Sequence, residues 1–139
     1  MQRLPPAVTV HGLPDLRAVL SRGRPATLLS APGAALAGGC LWWLALMAIG
    51  RREYPQQPFV DILDCAAAPG RAMAALRAGQ RRLILEASCP AFAAVVGAAG
   101  TVGGTVFGAR PPTLDLAEAN AARRLDAWLA PVTAPTEPG

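Results

Sequence analysis

The stretch from Phe59 to Ala87, FVDILDCAAAPGRAMAALRAGQRRLILEA, constrains the fold more than any other part of the chain. Phe59, Val60, Ile62 and Leu63 form a short β-prone run, and Leu83, Ile84 and Leu85 form another. Runs that are apolar on both faces suit strands of a parallel sheet covered by helices. Between them, Pro69 stands where a first helical turn tolerates a missing N–H, and Gly79 where a helix C-terminus needs a left-handed residue. Met73 and Leu76 share one face, with Ala72 and Ala75 letting it approach the sheet, while Arg71 and Arg77 reach solvent. The stretch is one βαβ unit, and parallel strands joined by one helix require a right-handed crossover.

Similar units flank it. Ala7 to Val10 reads as a strand, and Gly12-Leu13-Pro14-Asp15 opens a helix whose Leu16, Val19 and Leu20 fall at helical spacing before Gly23 closes it. Thr27 to Leu29 is a second strand, ending in Ser30-Ala31-Pro32-Gly33. After the central unit, Ser88-Cys89-Pro90 caps a helix carrying Phe92, Val95, Val96 and Ala99. Thr105 to Phe107 is a fifth strand, and Arg110-Pro111-Pro112 a rigid exit. Asp115-x-x-Glu118 resembles a capping box, with Ala121, Leu125, Trp128 and Leu129 marking the buried stripe of a last helix. Five strands alternating with five helices predict a single α/β domain over residues 1–130. The expected architecture is a doubly wound, mainly parallel five-stranded sheet, a flavodoxin-like or Rossmann-like three-layer sandwich with strand order 2-1-3-4-5, the alternative being a different open α/β order. Residues 131–139 are expected to form a proline-rich flexible tail.

Pro25 to Gly50 contains 26 residues without a charge. About 18 or more apolar residues can span a bilayer, but Pro32-Gly33 and Gly38-Gly39 interrupt this run, and its tryptophans sit mid-segment instead of at an interface. The reading is a helix covered on most sides, by the core or by a second subunit. Trp42, Trp43 and Met47 are the interface candidates, since aromatics are favoured in such places. A homo-oligomer or protein partner is therefore expected, and a membrane is not.

Composition excludes several chemistries. All 13 basic residues are arginine, so neither a Schiff-base lysine nor a phosphate-loop lysine exists. The net charge of +4 is spread over scattered arginine pairs with only 5% aromatic residues, which argues against nucleic-acid binding. One histidine and three widely spaced cysteines provide too few ligands for a clustered metal site, and no cofactor motif accompanies them. The cysteines, Cys40, Cys65 and Cys89, read as reduced thiols of a cytoplasmic protein.

Ligands of open α/β sheets sit outside the carboxyl ends of the strands. The residues expected there are His11, Ser30, Asp64, Cys65, Glu86, Ser88, Cys89 and Arg110. His11 is a potential general base, Asp64 a turn cap or ligand contact, and Ser30, Gly33, Gly70 and Ser88 potential donors to a small anion. The sharpest pattern is Cys65 to Arg71, CAAAPGR, a cysteine followed six residues later by arginine between a strand and a helix. It resembles the phosphate-binding loop of cysteine-dependent protein tyrosine phosphatases and arsenate reductases. The resemblance implies Cys65 as a thiolate nucleophile and Arg71 as a bidentate clamp on the oxyanion. It covers seven residues and departs from the pattern at Pro69, which removes an amide donor, and at Ala72, where a hydroxyl usually assists the thiolate. Two functions compete: a non-catalytic interaction or self-association module using the Trp-rich helix, and a small enzyme or binder of an anionic ligand at the strand ends.

Overall fold

The computed structural model of the chain describes residues 3–131. Strands and helices alternate along it: β1 (Ala7–Thr9), α1 (Leu13–Leu20), β2 (Ala26–Leu29), α2 (Ala34–Ala37), α3 (Gly39–Glu53), β3 (Phe59–Asp64), α4 (Pro69–Ala78), β4 (Arg82–Ile84), α5 (Phe92–Thr101), β5 (Thr105–Phe107), β6 (Thr113–Asp115) and α6 (Ala121–Leu129). Every strand pairs in parallel, in the order β5-β4-β3-β2-β1-β6. This is the expected Rossmann-like α/β class, with six strands in place of five. The order 2-1-3-4-5 is not adopted. Pro69 opens α4 and Gly79, at φ 113°, closes it, as the central stretch dictates.

From β1 to β5 every crossover steps in one direction, so right-handed connections put α1 to α5 on one face. Their buried side chains form a single cluster with Val8, Val10, Leu28, Leu63, Leu83 and Leu114, to which α6 adds Ala121, Leu125 and Leu129. The return from β5 to β6 runs the other way, across the opposite face, as a strap of residues 108–112 without a helix. A flat sheet of six strands spans about 24 Å between its outermost axes. The six Cα steps from Phe107 to Thr113 reach at most about 22 Å. The sheet must therefore curl towards the strap. That curl lets a thin cover suffice: Leu29, Ile62 and Ile84 form a second buried cluster, against which the partly buried Leu4 and Phe107 pack.

The uncharged segment resolves into β2, α2 and α3, broken where Gly33 (φ 65°) and Gly39 (φ 76°) take left-handed conformations. Among the described residues, no helix is long and apolar enough to cross a membrane. Nor is α3 covered on most sides. Trp43, Leu46, Met47 and Gly50 turn inward, while Leu41 and Trp42 are exposed. The helix lies close against α1, since a Cβ on Gly50 would stand 3.1 Å from Leu16 Cδ1 and 3.2 Å from Leu20 Cδ1. A buried indole needs a hydrogen-bond partner, and Trp43 Nε1 donates to Asp61 at 3.0 Å. Asp61 also accepts from Gln80 Nε2 at 2.9 Å and Arg51 Nη2 at 2.8 Å. The tail expected over residues 131–139 lies, beyond Pro131, outside the described residues.

Candidate functional site

Ligand crevices of open α/β sheets lie outside the carboxyl ends of the strands. The strand order reverses at β1, with β2 to β5 following on one side and β6 on the other. His11 follows β1 and Asp115 closes β6, so the topology brings them together. His11 Nε2 lies 2.6 Å from Asp115 Oδ1. Burial pushes the Asp115 carboxyl up, but the Ala117 N–H, His11 and Arg110 outweigh it and hold the group below the usual carboxylate range. Asp115 is therefore a pure acceptor near neutral pH, which makes His11 Nε2 the donor. His11 Nδ1 has no hydrogen-bond partner among the described residues. The His11 backbone N–H donates to Asp15 Oδ2 at 2.9 Å, tying the ring's anchor point to the first turn of α1.

Beside this pair lies a closed polar network. Arg110 reaches back from the strap, its Nη1 donating to Asp64 Oδ2 at 2.7 Å and to the Ser30 carbonyl at 2.9 Å. Its Nη2 donates to Thr9 Oγ1 at 3.0 Å. One guanidinium thus ties together the ends of β1, β2 and β3. Asp64, only 4% exposed, also accepts the Ala66 N–H at 2.7 Å, and its own N–H donates to Ser30 Oγ at 2.9 Å. The Asp64 bond holds Ala66 at φ 50°, a left-handed conformation that an alanine rarely adopts. Both Nη1 hydrogens and one Nη2 hydrogen of Arg110 are used within the chain, so this network locks the strap.

A cleft of about 310 Å³ opens beside His11. Val10 and His11 line it from the end of β1, and Ala31 and Pro32 from the end of β2. Ala34 and Ala37 come from α2, and Gly38 and Trp42 from the α2–α3 junction and α3. His11 is its only titratable side chain. The Trp42 ring lies over Gly38, where a Cβ would stand 3.3 Å from Cε3, and leans on Trp43 with ring centroids 6.1 Å apart. Leu36 (48% exposed) and Leu41 (71%) stand next to Ala37 and Trp42 in the chain and extend the apolar surface.

The other expected site residues fall elsewhere. Cys65 follows β3 with its side chain in the helical layer, fully buried. Burial, with Asp64 and Cys40 adding to it, pushes its thiol up to about 12. A protonated, inaccessible thiol is no nucleophile, and Arg71 is exposed on α4 without a hydrogen-bond partner among the described residues. The phosphatase-like loop is therefore not formed. Ser30 is buried in the network, Gly33 is the left-handed residue that opens α2, and Gly70 and Ser88 are exposed around β3 and β4, away from the cleft lining. Trp43 and Met47 are completely buried within the chain, so of the expected interface residues only Trp42 meets solvent. Asp115, expected as a helix cap, is instead a strand residue paired with His11; α6 starts at Ala121 after Asn120. Among the described residues no group of three or more His, Cys, Asp or Glu side chains is placed to hold a metal ion. No protein-family model matches the chain, and no curated protein does either.

Proposed function

We propose that the chain is a non-catalytic binding module that takes a small, mainly apolar ligand into the cleft beside His11. The observation that carries this reading is the coincidence of an apolar cleft of about 310 Å³ with the carboxyl ends of β1 and β2. Small-molecule sites run from about 300 to 1,000 Å³, so the cleft suits a single ring or a short chain better than a nucleotide. Apart from His11 its lining contains no side chain that could act as a nucleophile, acid or base, which favours binding over catalysis. The free thiols of Cys40, Cys65 and Cys89 accord with the reducing cytoplasm that we infer as its setting. The test is a toluene titration followed by ¹⁵N–¹H spectra. Shifts confined to Val10, His11, Ala34, Ala37, Gly38 and Trp42, and lost in Trp42→Ala, are expected. Shifts scattered over the surface would sink the reading.

A second reading, docking of a protein partner or of another copy, is favoured by the exposure of Leu36, Leu41 and Trp42 on one stretch of chain. It keeps the Trp-rich helix as the working surface, through Trp42 instead of Trp43. Sedimentation equilibrium separates the two. Association that Leu41→Arg abolishes supports this second reading, and a monomer at all concentrations rules out self-association.

A further inference from the structure

We propose that the cleft selects a phenol-like ligand, an apolar ring bearing a hydroxyl that donates a hydrogen bond to His11 Nδ1. This rests on the reading of the cleft as a small-molecule site, and adds what the site discriminates. The argument is an inventory of donors and acceptors. The Asp115 carboxylate takes the Nε2–H of His11 at 2.6 Å, so in the neutral imidazole it is Nδ1 that carries the lone pair. Asp115 is itself fixed by the Ala117 N–H at 2.9 Å, which keeps the ring from turning over. Nδ1 has no partner among the described residues, and His11 forms part of the cleft wall. No other side chain of the lining has an acceptor: Trp42 carries only an N–H, and the rest are Val, Ala, Pro and Gly.

An anion is the wrong occupant. It would face the Asp115 charge across one imidazole, and the cleft lining holds no arginine to offset it. A neutral ring is the right one, because the Trp42 ring is 40% exposed and offers an aromatic wall for offset or edge contact. A hydroxyl on that ring satisfies Nδ1. The methyl ether of the same ring leaves it unpaired, and sites built around a hydroxyl reject analogues that lack its hydrogen.

The experiment titrates phenol, anisole, toluene and benzoate into the whole protein by ¹⁵N–¹H and imidazole NMR. His11 is the only histidine of the chain, so its ring signals need no assignment. Phenol is expected to bind about tenfold more tightly than anisole, with benzoate weaker than phenol. In His11→Phe, which keeps an aromatic wall and removes Nδ1, phenol is expected to fall to the level of anisole while anisole changes little. Equal binding of phenol and anisole, persistence of the preference in His11→Phe, or tighter binding of benzoate each overturns the donor assignment. Toluene shifting the cleft without any phenol preference leaves the binding module intact and removes only this inference. Failure of every ring to shift the cleft removes both.

Discussion

Replacing Arg110 by methionine tests the lock that closes the fold. The substitution removes the one cation facing the Asp64 carboxylate, whose side chain is 5% exposed, and takes donors away from the Ser30 carbonyl and Thr9 Oγ1. Breaking a buried ion pair by deleting one partner costs roughly 3–5 kcal/mol, because the survivor stays desolvated. Two features move the expectation to the lower end. Asp64 keeps the Ala66 N–H, and the 23% exposure of Arg110 means water can enter where the guanidinium was. A loss of about 3 kcal/mol is therefore expected, against a total stability of about 5–15 kcal/mol for a typical domain. Replacing both partners, as in Asp64→Leu with Arg110→Met, removes the stranded charge and should recover much of the loss. Urea unfolding followed by tryptophan fluorescence and far-ultraviolet circular dichroism gives the four stabilities of the cycle. The reasoning fails if Arg110→Met costs less than about 1 kcal/mol, or if the double variant is no more stable than the sum of the single losses predicts.

The Cys65 thiol, held up to about 12 from an ordinary value of 9.0, keeps its proton in the folded chain where the unfolded chain loses it. Its contribution is complete below pH 9 and is lost as pH rises towards 12, by up to about 1.4 kcal/mol per pH unit. Urea midpoints at pH 8 and 10 should therefore fall more steeply for the native chain than for Cys65→Ala. Ala66→Gly should raise stability by about 1 kcal/mol, because glycine takes φ 50° without strain, and a lowered unfolding temperature would contradict that. Gly50→Val should cost roughly 1–3 kcal/mol through the clash with Leu16 and Leu20. By contrast Gly97→Ala, on α5 with nothing within 4 Å, should gain up to about 1 kcal/mol; denaturant titrations of the pair check the contrast.

The class of fold was legible because the punctuation of each βα unit is local. Pro69 and Gly79 bound α4, Gly33 and Gly38-Gly39 break the uncharged run, and apolar triplets mark the inner strands. The sixth strand was not legible. Thr113-Leu114-Asp115 is too short to show a period, and Asp115 with Glu118 imitates a cap. With that strand missing, the place of β6 beside β1 and the pairing of His11 with a residue 104 positions away were out of reach. His11, Ser30, Asp64 and Arg110 were found because they follow strand ends, but which of them join a network depends on the strap. Two signals were present in the sequence. Strand alternation puts Cys65 on the face opposite Asp64, hence into the helical layer. In α3 the inward set Trp43, Leu46, Met47 and Gly50 has the i, i+3, i+4, i+7 spacing of one helical face, which leaves Trp42 outside. The surrounding apolar residues masked that period, since a stripe is visible only against polar contrast.

The most direct measurement is a crystal structure of the protein grown with phenol. The account predicts a ring in the cleft against Trp42 and Pro32, with its hydroxyl within hydrogen-bond distance of His11 Nδ1 and the Asp115 contact intact. A ring seated elsewhere, or one in the cleft with its hydroxyl turned away from His11, would contradict it.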